Sequence, residues 1–258
     1  MATIKTSEIV TNKDSRIVGE GIDLVAIDHG WGSAWWNKTI DLYKDWSSTF
    51  KLRIGGGSGT SDGLTFVING DPRGVKAIGD GGSNNGFFGY DTGGGIAKSY
   101  AINFDMWESY GTSSLIGFEQ SNNKTIPQAT VQLPIPITNN TYTGEIKYSA
   151  ESKTISVMIG GKTFAKSVDL ASLVGEKALL GFTGANGGGT MDLNVSEWSI
   201  NASTVEQNSS SSKINGWHIL GKQPMIRPLG LHNSVMVILQ LHILSQRQMV
   251  LHQFWFKD

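Results

Sequence analysis

The sequence predicts an all-β protein folded as an antiparallel sandwich, and two observations support this prediction. The chain of 258 residues has 33 glycines and only 17% charged residues, a composition typical of short strands joined by tight turns. From residue 30 to about residue 200, strand-like runs with a period of two alternate with turn clusters. Helical periodicity is nearly absent, and only residues 171–175 are expected to form a helical turn.

These runs place the predicted strands along the chain and assign their faces. The strands cover residues 48–54, 63–69, 100–107, 115–119, 144–149, 154–159, 177–182 and 191–200. Thr65, Asn103 and Asp105 interrupt the apolar pattern at alternate positions, as expected of a sheet with one face on the core and the other polar or functional. Trp35 and Trp36 are assigned to packing, as is Trp46.

A change of composition divides the chain near its end. Residues 204–213 are polar and rich in serine and are interpreted as a linker, so residues 1–203 form the predicted domain. Residues 214–258 are rich in Met, His, Gln and Leu instead of glycine. Two interpretations of this tail stay open. It is either an out-of-frame or disordered sequence, because residues 223–228 read in another frame spell a β-like segment, or an amphipathic helix over residues 235–251.

Charge and hydropathy exclude several classes of partner. The net charge of −1 gives no field that attracts nucleic acid or an anionic membrane, so a roughly neutral partner is expected. Without cysteine the chain has neither disulfides nor thiolate metal sites. An apolar run long enough to span a membrane is absent, as is a signal peptide in the first ten residues. If the protein is secreted, we expect its signal to have been removed.

Several motifs in sequence order resemble the L-type (legume) lectins, in the variety found in bacterial surface proteins. They are Gly-Ser-Ala-Trp-Trp at residues 32–36, Asp-Gly-Leu-Thr-Phe at 62–66, Gly-Phe-Phe-Gly-Tyr at 86–90, the strand at 100–105 and Leu-Leu-Gly-Phe-Thr-Gly-Ala at 179–185. The resemblance covers about residues 15–201. It implies a concanavalin A-like jelly roll in which residues 32–42 lead into the edge of a flat back sheet. It also implies a shallow sugar site formed by loops at the top of a curved front sheet.

The resemblance assigns the sugar site residue by residue. Asp62, after a cis peptide bond at Ser61, accepts hydrogen bonds from sugar hydroxyls, although a Ser-Asp-Gly segment by itself would indicate an Asp that caps a turn. The backbone N–H of Gly86 donates to the sugar. The other predicted contacts are Asn85, Asn186 and Gly187 as hydrogen-bonding groups, Trp107 and Tyr110 as stacking aromatics, and Ser109.

The same resemblance implies calcium beside a transition metal, but this sequence departs from the family's ligands. Asn103 stands where the family has a Glu, while Asp105 keeps the family's Asp. Trp107, through its carbonyl, and Ser109 complete the candidate calcium ligands, with Glu108 or Glu119 as substitutes. The sequence therefore predicts no transition metal and leaves calcium open.

We expect a non-catalytic glycan-binding module of a secreted or bacterial cell-surface adhesin. One alternative is a structural spacer or protein-contact sandwich without a sugar site. Another is a glycoside hydrolase of the same fold, whose strand reads Glu-x-Asp-x-x-Glu. Residues 103–108 fit that pattern except at Asn103, which cannot act as the nucleophile of a retaining mechanism. The sugar and the oligomeric state are not predicted.

Overall fold

A computed structural model of the chain describes residues 2–55, 62–89, 94–106, 115–121, 131–132, 140–189 and 191–205. All of them belong to one unit, Met1–Ser209. The predicted linker and tail lie almost wholly outside the described residues, so the domain boundary at residue 203 stays a prediction. The described part of the chain contains no helix of the length and apolarity needed to cross a membrane.

The described residues form sixteen strands and one short α-helix. The strands are β1 (Ala2–Thr3), β2 (Ile9–Lys13), β3 (Arg16–Val18), β4 (Gly21–Asp23), β5 (Trp31–Asp41), β6 (Trp46–Gly55), β7 (Gly63–Asn69), β8 (Ser99–Asp105), β9 (Leu115–Ser121), β10 (Val131–Gln132), β11 (Asn140–Ser149), β12 (Thr154–Ile159), β13 (Lys162–Ser167), β14 (Lys177–Ala185), β15 (Asp192–Asn201) and β16 (Thr204–Val205). The helix α1 covers Leu170–Val174, within one residue of the predicted turn.

The strands form two antiparallel sheets, which confirms the predicted β-sandwich. The front sheet has the order β10-β9-β8-β7-β14-β5-β16, with β2 also pairing with β5. The back sheet has the order β13-β12-β11-β6-β15-β4-β3, with β1 also pairing with β15. The predicted strands at residues 63–69 and 154–159 have the observed bounds, and the others differ by a few residues at their ends. The short strands β1 to β4 were not predicted.

The position of β5 corrects the prediction that residues 32–42 lead into the edge of the back sheet. This strand lies inside the front sheet, where it pairs with β14 from Trp31 opposite Ala185 to Asp41 opposite Lys177. Both of its faces are covered, since Trp36 packs into the core between the sheets and Trp35 packs on the other side. A strand buried on both faces shows no alternation of polar and apolar residues, which left its place in the fold undetermined.

The main core lies between the two sheets and is rich in aromatic side chains. Phe50 of the back sheet and Phe182 of the front sheet meet edge to face, with ring centroids 5.0 Å apart. Phe66 stacks on Phe50 at 6.1 Å, and Trp198 contacts Phe182 at 5.1 Å. Each large ring buried here contributes several kcal/mol by removing apolar surface from water. The predicted packing role of Trp46 is also confirmed, since it is 3% exposed.

A second, smaller apolar cluster covers part of the outer face of the front sheet. Phe87 and Ile96, from the segment between β7 and β8, pack there on Val67 and Trp35. The indole N–H of Trp35 donates to the carbonyl of Ala77 at 2.9 Å, which ties the same segment to β5. The segment thus lies along the outer face of the front sheet and places Asn85 against this face, at the end where β7 begins.

Candidate functional site

A row of polar side chains crosses the outer face of the front sheet near one end. Thr65 is directly opposite Asn103 of β8 and Thr183 of β14. Its neighbours Leu64 and Phe66 point into the core, so by strand alternation the three polar residues point outward. The Thr65 and Thr183 hydroxyls are 2.6 Å apart, and Thr183 also donates to the backbone oxygen of Asn85 at 2.7 Å. The row therefore joins three strands to the covering segment.

Asn85 and Asn103 form the buried end of this row. Asn85 Nδ2 donates to Asn103 Oδ1 at 2.9 Å, and both residues are 0% exposed. Asn85 Oδ1 and Asn103 Nδ2 lack partners within the described structure. Asn85 is thus buried against the outer face of the front sheet, where it supports the start of β7 and does not project into solvent. The sugar contact predicted for Asn85 stays a prediction, with its side chain engaged by Asn103.

Asp62 lies three residues before Thr65 of this row, immediately before β7 begins. The backbone N–H of Met106 donates to the Asp62 carbonyl at 2.8 Å and holds the residue beside the end of β8. The Asp62 side chain is only 5% exposed, and its Oδ2 has no hydrogen-bond partner among the described residues. An acceptor that is buried without a donor costs free energy unless a ligand or water supplies one. The Asp62 Oδ2 is therefore an acceptor whose donor the described residues do not supply.

The charge environment of Asp62 reflects this burial. Removal from water, together with the negative charge of Asp105, raises the pKa of the Asp62 carboxyl from its ordinary 3.8 to about 6. A backbone hydrogen bond and the nearby His29 act in the opposite direction. Asp105 ends β8, directly opposite Gly63, and is 4% exposed. Two buried carboxyl groups therefore share this end of the front sheet.

Gly187 lies directly over the Asp62 carboxylate. A Cβ atom at Gly187 would overlap Oδ2 of Asp62 and would lie 2.9 Å from Oδ1, so only a glycine permits this approach. The backbone of the loop after β14 thus packs closely against the carboxylate, which occupies the place that a side chain at Gly187 would take. The sugar contact predicted for Gly187 stays a prediction.

Asn186 holds this loop in place. Its backbone N–H donates to the carbonyl of Gly30 at 2.9 Å, and its Nδ2 donates to the carbonyl of Met191 at 3.2 Å. Its backbone N–H and one Nδ2 hydrogen are therefore engaged, and the sugar contact predicted for Asn186 stays a prediction. Its Oδ1 has no partner within the described ranges.

Gly86 is held within the protein by its backbone, and the sugar contact predicted for it stays a prediction. Its backbone N–H donates to the carbonyl of Asp80 at 2.9 Å, so this donor is used within the protein. Its φ of +70° lies in the left-handed region, and a Cβ would meet Thr183 and the backbone oxygens of Gly32 and Gly184 at 3.1–3.2 Å. Gly86 thus allows the covering segment to turn tightly against β14 and β5.

Several predicted site residues lie outside the described residues. They are Ser61, with the peptide bond that joins it to Asp62, and Trp107, Glu108, Ser109 and Tyr110. The aromatic stacking and two of the three candidate calcium ligands therefore stay predictions. Asp105 is the candidate metal ligand that the structure describes.

The described residues do not fit the family's transition-metal site. Asn103, where the family has Glu, has an amide whose oxygen already accepts a hydrogen bond from Asn85. Within the described ranges, no group of three His, Cys, Asp or Glu side chains is arranged to hold a metal. Calcium prefers oxygen ligands, of which the described part supplies Asp105.

Replacing Asn103 by alanine is expected to lower the free energy of unfolding by about 1–3 kcal/mol, because it leaves Nδ2 of the buried Asn85 without an acceptor. Urea denaturation of the full chain measures this. Asn201, exposed at the end of β15, provides a control, and its replacement by alanine should change stability by less than about 0.5 kcal/mol. Equal stabilities of the two variants would show that the amide pair does not stabilise the site.

Known proteins resemble this chain in sequence and in fold. A family model described as the legume lectin domain matches residues 3–216. The chain belongs to the legume lectin family. Members of this family are non-enzymatic carbohydrate-binding proteins, which supports carbohydrate binding as the general function of this lectin domain.

Solved structures share the fold of this lectin domain at low sequence identity. The lectin from Bauhinia forficata in complex with GalNAc is 20% identical, with a TM-score of 0.63 over 78% of this chain and 94% of that one. The winged bean acidic lectin complexed with methyl-α-D-galactose is 19% identical, with a TM-score of 0.62 over 79% and 96%. Arcelin-5, a lectin-like defense protein from Phaseolus vulgaris, is 15% identical, with a TM-score of 0.63 over 79% and 96%.

Proposed function

We propose that this chain is a glycan-binding module whose central contact is the Asp62 carboxylate. The observation that carries the proposal is the buried Oδ2 of Asp62, which lacks a donor among the described residues and lies under the side-chain-free Gly187. Sugar hydroxyls are donors of the kind that such an oxygen lacks, and a hydrogen bond to a carboxylate is stronger than one between neutral groups. The sugar complexes of the Bauhinia and winged bean lectins support this choice of ligand class.

The front-sheet end favours binding over catalysis. A retaining glycosidase needs two carboxyl groups on either side of the scissile bond, one of them a nucleophile. Asn103 stands where the hydrolase pattern requires that nucleophile, and its amide is buried against Asn85. The proposed activity is therefore reversible binding, with single-site dissociation constants on the order of millimolar to micromolar.

We place the module in a secreted or cell-surface adhesin, where repeated weak sites gain avidity. The near-neutral charge and the resemblance to the bacterial surface-protein type support this placement. Legume lectins generally bind Ca²⁺ and Mn²⁺. For this chain we propose that only calcium is used, with Asp105 among its ligands, because Asn103 replaces the transition-metal carboxylate.

A glycan array of the full chain tests the function, with wild type beside Asp62→Ala and with added calcium or chelator in separate lanes. We expect wild type to bind a subset of glycans and Asp62→Ala to lose more than about tenfold in affinity, because the carboxylate acceptor is removed. Glu151→Ala, an exposed position in the turn between β11 and β12 at the opposite end of the sandwich, should bind as wild type does. Binding that survives in Asp62→Ala would place the site elsewhere, and no binding in any lane would favour the structural spacer.

A further inference from the structure

The loop formed by residues 26–30, called the His29 loop, lies at the same end of the front-sheet strands as Asp62. Ala185 of β14 is opposite both Trp31 of β5 and Gly63 of β7. The starts of β5 and β7 therefore flank the end of β14, two strand spacings or about 10 Å apart. His29 precedes one of these starts and Asp62 the other. The loop that contains Gly187 leaves β14 between them.

The His29 loop is held firmly at both ends. The backbone N–H of Ala26 donates to the carbonyl of Asp14 at 3.0 Å, and the Asp14 carboxylate accepts from the backbone N–H of Trp31 at 3.0 Å. The Gly30 carbonyl accepts the 2.9 Å hydrogen bond from Asn186, which joins this loop directly to the loop over Asp62. The two loops therefore form one connected surface.

The side chains at the tip of the His29 loop point into solvent. Ile27 is 56% exposed, and His29 is also exposed. His29 has a φ of +56°, a left-handed conformation that a residue with a side chain adopts at some cost. Packing within the described structure does not explain an anchored loop that exposes an isoleucine beside a binding site.

We propose that Ile27 and His29 form a second contact region that binds the next residue of a neutral di- or oligosaccharide whose first residue is hydrogen-bonded to Asp62. The imidazole supplies a hydrogen bond to a hydroxyl group, and Ile27 packs against the apolar C–H face of the sugar ring. A neutral saccharide is required because the carboxyl groups of Asp62 and Asp105 repel an acidic one. This inference rests on the proposed function and adds that the recognised glycan has at least two sugar residues.

Calorimetric titration of the full chain with matched sugars tests the inference, using galactose and lactose, glucose and maltose, and mannose and mannobiose. His29→Gly removes the imidazole at a φ that glycine accepts, and Ile27→Ala removes most of the apolar surface. For a pair that wild type binds, we expect each variant to weaken disaccharide binding about three- to tenfold while monosaccharide affinity stays within about twofold. Tyr43→Ala, 61% exposed after the far end of β5, serves as the control and should change neither.

The outcomes separate the inference from the function. Loss of both sugars in Asp62→Ala, with disaccharide affinity unchanged in His29→Gly and Ile27→Ala, would overturn the inference and keep the function. Equal weakening of monosaccharide and disaccharide by the loop variants would also overturn it, since the loop would then act on the first sugar. Failure of wild type to bind any of the pairs would count against both. Thermal unfolding of each variant verifies that the fold is retained.

Discussion

Gly187→Ala is expected to weaken glycan binding strongly while the protein remains folded. The new Cβ would occupy the position of the Asp62 carboxylate, approaching Cγ to 3.0 Å and Oδ1 to 2.9 Å, so the loop or the carboxylate must move. Either movement removes the acceptor from the place where a sugar hydroxyl reaches it. We expect affinity to fall by more than about tenfold, a loss of about 1.4 kcal/mol of binding free energy or more. Titration with the strongest ligand found on the array measures it.

The neighbouring glycine provides a matched control for this prediction. A Cβ at Gly188 would meet nothing within 4 Å. Gly188→Ala makes the same chemical change one position along the same loop, so its affinity and its thermal stability should equal those of wild type. If both variants bind equally well, the sugar does not contact Asp62 beside Gly187, and the proposed site is wrong.

Raising the pH from about 4 to 7 is expected to destabilise the metal-free protein through Asp62. The folded state holds the Asp62 proton up to a pKa of about 6, whereas the unfolded state releases it near 3.8. The folded state therefore binds more protons between these values, and stability falls as the pH rises through this window. Below about 3.8 the contribution is fully present, and above about 6 it is lost. A shift of about 2 units corresponds to up to about 3 kcal/mol.

Asp62→Asn isolates this contribution, because an amide of the same shape does not titrate. Urea unfolding of wild type and Asp62→Asn between pH 4 and 8, with chelator present throughout, gives the difference in stability at each pH. We expect the variant to become more stable than wild type by an amount that grows from pH 4 to about 6.5 and then stays level. A difference that does not change with pH would show that Asp62 titrates alike in both states. Chelator is needed because a cation at Asp105 would alter the charge that Asp62 faces.

Much of the fold was predictable because strand alternation and glycine-rich turns are local properties of the chain. The strand Gly63–Asn69 alternates core residues such as Phe66 with outward residues such as Thr65, and its bounds were predicted correctly. The turn after Asp169 was predictable from an N-cap residue, and the Asp169 carboxylate does accept from the backbone N–H of Ser172 at 3.1 Å. The sheet assignment of Trp31–Asp41 was not predictable, since a strand covered on both faces has no polar face to reveal its partner.

Within the candidate site, Asp62 and Gly187 were predicted from their motifs, and the structure places them together. Gly86 and Asn186 were predicted as donors to a sugar, which stays a prediction. In the structure the Gly86 N–H donates to Asp80, and Asn186 donates to Gly30 and Met191. Which donors remain free depends on hydrogen bonds between distant segments, and a motif does not contain these. His29 and the Thr65–Thr183 pair were missed for the same reason, because their importance lies in neighbours more than 30 residues away.

The sequence by itself determined the all-β class and the family resemblance, and it determined that the transition-metal carboxylate is replaced at Asn103. These depend on residue type and local order, which are readable without coordinates. Only the tertiary structure decided that Asp62 is buried with an acceptor that no described residue satisfies, that Gly187 lies against it, and that the His29 loop lies at the same sheet end. Burial and the pairing of hydrogen bonds are set when β5, β7, β8 and β14 come together, because each of these strands supplies atoms that the others need.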